Sequence, residues 1–76
     1  MKYIRKGTLE LYDKELVDKN FVDNAMYDVE VVDEDTTITT QYGDVAITKG
    51  NYIMTANDGS QIGITAQDLN NQFEEV

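Results

Sequence analysis

Between residues 37 and 73, four short apolar runs are cut apart by glycine-bearing turns, and the last run gives way to a helical period. No other feature of the chain limits its fold as much. The runs are 37–41, 45–48, 52–55 and 61–65, separated by Tyr42-Gly43-Asp44, Lys49-Gly50-Asn51 and Asn57-Asp58-Gly59-Ser60. The glycine in each turn can take a positive φ without a Cβ clash. Asp-Gly between two β-rich runs is a strong short-range hairpin signal. Ile, Val, Thr and Tyr fill the runs and suit a pleated, half-buried surface. Val45 with Ile47, and Ile62 with Ile64, recur at a period of two, which turns one strand face to a core. Tyr52, Ile53 and Met54 are consecutive, which predicts a strand covered on both faces. Beyond Thr65 the period lengthens: Ala66, Leu69 and Phe73 fall on one helical face. The Thr65 hydroxyl is placed to cap the first turn, and Asp68 sits at the positive end of the helix dipole. A helix of about two turns is marginal alone in water, so its apolar face is expected on the sheet. The fold class is therefore α+β: one domain over residues 1–76, a small antiparallel β-sheet of four to five strands, and a short C-terminal helix packed on it.

The remainder of the chain adds to this frame. Tyr3-Ile4-Arg5 reads as a short first strand, broken by Lys6-Gly7-Thr8. Leu9, Tyr12, Leu16 and Val17 keep helical spacing, and Glu15 and Lys19 form a favourable i,i+4 pair, so an N-terminal helix is expected over about residues 9–18. The same Leu9–Tyr12 segment also reads as a strand hairpinned to the first. Residues 19–24 are a connection in which Phe21 and Val22 are expected to anchor to the core. Residues 25–32 are a strand with Tyr27, Val29 and Val31 on one face and Asp28 and Glu30 on the other. Asp33-Glu34-Asp35 makes an acidic turn, and the end beyond Phe73 is expected to fray.

Composition narrows the chemistry. Cysteine, histidine, proline and tryptophan are all missing. Thiolate metal sites and disulfides are thereby excluded, and so are the commonest general base and transition-metal ligand. No run of about 20 apolar residues is present to span a membrane. Residues 1–6 lack the apolar region of a signal peptide, so a cytosolic location is expected. Net charge is -9, and it is unevenly spread. Residues 1–19 carry five basic groups against four acidic ones; residues 20–76 carry Lys49 against eleven acids. Such asymmetry bears on association rather than on fold. It speaks against nucleic acid and anionic lipid as partners, and for a basic partner.

Residues 25–76 resemble small phage and prophage proteins that carry a Pro-Gly-Asp-Tyr-Gly-like loop. The residues carrying the resemblance are Thr40-Gln41-Tyr42-Gly43, Lys49-Gly50-Asn51-Tyr52-Ile53, Asp58-Gly59 and Phe73-Glu74-Glu75. Lys49 stands where the family has proline, and Asn51 where it usually has aspartate. The resemblance implies a phage origin and a compact α+β fold, and brings no activity or site residue with it.

Each chemistry open to the chain has a blander alternative. Paired carboxylates can do acid–base work, but Asp33, Glu34 and Asp35 are adjacent and read as solvated. Neither they nor Asn57-Asp58 have the calcium-loop pattern, and no catalytic residue, cofactor or metal is expected. Lys2, Arg5 and Lys6 are too few to make a nucleic-acid binder of so acidic a chain. Tyr3, Tyr12, Tyr27, Tyr42 and Tyr52 could form a stacking platform, but at strand spacing they read as core and rim. A small-molecule binder needs a pocket, for which a 76-residue monomer has little room, although a dimer interface could supply one. Mimicry of nucleic acid is the remaining idea. Same-face neighbours on a strand lie about 6.6 Å apart, so Asp28 and Glu30, extended by Asp33, Glu34 and Asp35, would present charge at a phosphate-like spacing. Tyr42 and Tyr52 are the candidate apolar anchors beside that row.

Taken with the resemblance, these residues describe a phage-encoded, non-catalytic binding protein. It would inhibit a host nucleic-acid-directed defence complex, such as a CRISPR effector or restriction system, by docking on a basic nucleic-acid-binding groove. The alternative is a phage assembly module that self-associates as a homo-oligomer or docks on a larger phage protein.

Overall fold

The computed structural model describes residues 1–19 and 21–76. Along the chain run β1 (Lys2–Arg5), α1 (Thr8–Leu11), α2 (Lys14–Asp18), β2 (Tyr27–Val31), β3 (Thr36–Thr40), β4 (Gly43–Ile47), β5 (Tyr52–Thr55), β6 (Gln61–Ile64), α3 (Ala66–Gln72) and β7 (Phe73–Glu75). The α+β class is as expected, but the strands divide between two sheets. Five form an antiparallel sheet in the order β6-β5-β2-β1-β7; β3 and β4 form a hairpin of their own. The hairpin is an excursion between β2 and β5, which pair with each other directly from Asp28↔Thr55 to Val31↔Tyr52.

Alternation along β5 explains the layering. Met54 faces the front of the sheet, where Val29, Leu69 and Phe73 complete a core edged by Tyr3, Tyr27, Tyr52 and Ile64. Ile53 faces the back, against Val32 of the β2–β3 connection, Ile38 of β3 and Ile47 of β4. β5 is thus covered on both faces, as its consecutive apolar residues predict. Ile4 and Val17 are also fully buried. Gly63 is what lets the hairpin lie close. A Cβ at that position would overlap Cδ1 of Ile47. Its role is close approach, with no turn involved.

Local chemistry sets the element ends. Thr65 caps α3 as its sequence predicts: the Asp68 N–H donates to Thr65 Oγ1 at 3.1 Å. The β3–β4 turn pairs Thr40 with Gly43, and Gly43 has φ 106, a left-handed value that glycine takes without a Cβ clash.

Five expectations are corrected. Phe73 does not continue the helical face of Leu69: it is extended (φ/ψ -129/160) and opens β7. The helix over residues 9–18 is two short helices, because Tyr12 and Asp13 are extended (φ/ψ -132/151 and -64/138). Only Val17 of its predicted apolar face is buried, whereas Tyr12 and Leu16 are exposed. Phe21 does not anchor the connection to the core: it is 72% exposed, and Val22 is half-buried; Asn20 of that connection lies outside the described residues. The C-terminus does not fray. Phe73–Glu75 pairs with β1 from Tyr3↔Glu75 to Arg5↔Phe73, and the Val76 N–H donates to the Lys2 carbonyl at 2.9 Å. Val31 shares its strand face with buried Val29 yet is 54% exposed, because the cover given by Leu69 and Phe73 stops at Val29 and Met54.

Candidate partner-binding face

The acidic residues singled out from the sequence all lie on β2 or on the β2–β3 connection, but their surroundings differ. Asp28 is opposite Lys2 in the β1–β2 register, and Lys2 Nζ lies 2.8 Å from Asp28 Oδ1. The hydrogen bond from this ammonium, helped by its charge, holds the Asp28 carboxyl below its ordinary value. Asp28 is therefore already neutralised within the molecule. Asp35 is also engaged: its Oδ1 accepts the Lys49 backbone N–H at 2.8 Å, tying the β2–β3 connection to the β4–β5 turn.

Glu30, Asp33 and Glu34 are brought together. They line a shallow depression of about 210 Å³ with Val31, Val32 and Ile53. Among the described residues the ion pairs are Lys2–Asp28 and Lys19–Glu15, so no protein cation meets these three carboxylates. Nor do the three draw together as metal ligands would. The arrangement is an apolar depression fringed with uncompensated negative charge. Val31 lies at its rim, but its side chain shares the front face with Val29 and Tyr52, whereas Glu30 and Ile53 face the back.

The two tyrosines separate. Tyr42 is 90% exposed at the β3–β4 turn, its N–H bonded to Thr40 Oγ1 at 3.1 Å. Tyr52 is half-buried against the front core. Glu30 is opposite Ile53 and so faces the back, whereas Tyr52 faces the front. Tyr52 is a core residue and Tyr42 alone is available as an anchor.

The Lys2–Asp28 pair makes a direct prediction. Because the Asp28 carboxyl is lowered in the folded state, its stabilising contribution is present above the ordinary carboxylate value and is lost as pH falls through the lowered one. Both side chains are more than half exposed, so that contribution is small. Lys2→Ala is expected to move the Asp28 titration back up toward 3.8, followed by the carboxyl carbon shift in NMR, with little change in thermal midpoint.

No described helix is long and apolar enough to cross a membrane. Comparisons with protein-family models, with curated proteins and with solved structures found no match.

Proposed function

We propose that this chain is a non-catalytic binding protein that docks its β2–β3 acidic face on a basic protein surface. The best reading is a phage-encoded inhibitor of a host nucleic-acid-directed defence complex. The observation that carries the proposal is the grouping of Glu30, Asp33 and Glu34 beside half-buried Ile53 on the back of the sheet, where no cation among the described residues pairs with them. A groove built for phosphates offers the complementary charge, and half-buried Ile53 offers apolar contact once water is displaced. Charges of this kind act mainly on encounter rate and on partner choice, and their effect is screened by salt. The phage assignment rests on the resemblance carried by residues 25–76.

The test is a plasmid-interference assay in cells carrying a CRISPR or restriction system, with a gel-shift assay of the purified effector on its target DNA. Wild-type protein is expected to block both. Glu30→Lys, Asp33→Lys and Glu34→Lys together are expected to weaken inhibition about tenfold while the circular dichroism spectrum is kept. An unimpaired triple variant would remove the acidic face from the mechanism.

The second reading, a phage assembly module, is favoured by the outer edges of β6 and β7, each paired on one side only. Such edges template further strand pairing. Sedimentation at micromolar concentration separates the readings: a stable oligomer that ignores both defence systems supports the module.

A further inference from the structure

At the other end of β2 from the acidic face lies a cavity of about 300 Å³, between the end of β1, α1 and the turn that enters β2. We propose that it binds a single nucleotide, of the class of a nucleoside monophosphate with an amine-bearing base. The inference is independent of the function proposed above.

The argument starts at Arg5. It is in register with Phe73 across β1 and β7, and its guanidinium carbon lies 5.3 Å from the centroid of the Phe73 ring. Tyr27 meets that same ring edge-on, with centroids 5.7 Å apart and planes at 80°. Phe73 is buried. The guanidinium is thus seated on a fixed ring, and it forms no ion pair with any described residue. A planar fork held in this way suits two oxygens of a phosphate. It also lies in the one part of the chain that is not strongly acidic, since residues 1–19 carry a small excess of basic groups.

The other walls supply the remaining contacts. Tyr12 and Tyr27 both line the cavity, and an aromatic face stacks on any base. Thr8 adds a hydroxyl. Asp23 lies on the wall too, an acceptor that repels a second anion and favours a base bearing an exocyclic amine. Asp23 and Asn24 hold left-handed backbone angles, φ 45 and 52. Two successive non-glycine residues there are uncommon, and such strain gathers at ligand-binding positions. The volume is at the lower end for ligand pockets, which admits one nucleotide unit and excludes an oligomer.

Adenosine and cytidine 5′-monophosphate are the probes, titrated into the full chain by calorimetry and by ¹H–¹⁵N NMR. Saturable binding with Kd of about 1 mM or tighter is expected, with shifts confined to residues around Arg5, Thr8, Tyr12 and Tyr27. Arg5→Gln is expected to weaken binding about tenfold, as loss of a charge-assisted phosphate contact does. Because Arg5 also rests on the Phe73 ring, Tyr12→Ala is the second variant; its side chain is 46% exposed, so its removal leaves the fold intact, and several-fold weakening is expected. Adenosine without its phosphate is expected to bind about tenfold more weakly than the monophosphate. No saturable binding by wild-type protein, equal affinity for adenosine, or insensitivity to both variants would each overturn the proposal. So would a preference for phenylalanine or tyrosine, free amino acids that also offer a ring, an anion and an amine.

Discussion

Leu69→Ala is expected to remove a large share of the stability of this molecule. Leu69 is 2% exposed and is the buried residue within α3; it packs with Val29, Met54 and Phe73. Truncating a buried leucine costs about 2–5 kcal/mol, from lost transfer energy and the cavity left behind. A chain of this length has a total of about 4–11 kcal/mol by per-residue scaling, so the loss is a large share of the whole. α3 spans seven residues and does not persist alone once its anchor is gone. Urea unfolding followed by circular dichroism measures the change. Leu16→Ala is the matched control: Leu16 is also helical but 42% exposed, and its midpoint is expected to shift by less than about 0.5 kcal/mol equivalent. Equal effects at the two leucines would mean that α3 is not seated on the sheet.

Gly63→Ala is expected to destabilise by about 1–3 kcal/mol, the usual range for overpacking, against the ordinary preference of strands. Replacing a strand glycine normally helps, since glycine has the most unfolded-state freedom to lose. Here the new methyl would overlap Ile47 Cδ1. Ile47 is 5% exposed and packs with Val32 and Ile38, so a shift of its end disturbs that cluster. Ile47→Val removes Cδ1 and costs about 0.5–1.5 kcal/mol by itself. The next contact, Ile47 Cγ1, is 3.5 Å from the new Cβ, an ordinary van der Waals distance. In the Ile47→Val background, Gly63→Ala is therefore expected to be neutral or stabilising. A double-mutant cycle reads this change of sign directly. Strict additivity would mean that the hairpin does not rest on β6.

What the residues disclosed in advance, and what they withheld, follows the range of the interactions involved. Thr65 as a cap, Leu69 as the buried residue of α3, and the double cover of β5 are local patterns, and all were legible; Phe73, read onto the same helical face, is extended and opens β7 instead. Pairing was not. Nothing in residues 36–47 says that their hairpin folds behind β5 while β2 and β5 pair directly, because that choice depends on Ile47 meeting Gly63 across a long separation in the chain. The break at Tyr12-Asp13 was hidden for a different reason: Leu9, Tyr12 and Leu16 keep helical spacing, and spacing alone does not register two extended residues within it. On the acidic face, the order of Glu30, Asp33 and Glu34 suggested their grouping. That Lys2 would neutralise Asp28 required the β1–β2 register. The cavity at Arg5 was hidden altogether, since its lining comes from two segments that look unrelated in sequence.

The pairing of β7 with β1 has a consequence for how this molecule is made. Tyr3 meets Glu75, so β1 lacks one neighbour until residues 73–75 have left the ribosome. The hairpin of β3 and β4 closes over a few residues and can form early, whereas the principal sheet is completed only when β7 arrives beside β1. Pairing across so long a separation slows folding, and a translation product interrupted before residue 73 would show its unfinished β1 edge to quality-control proteases.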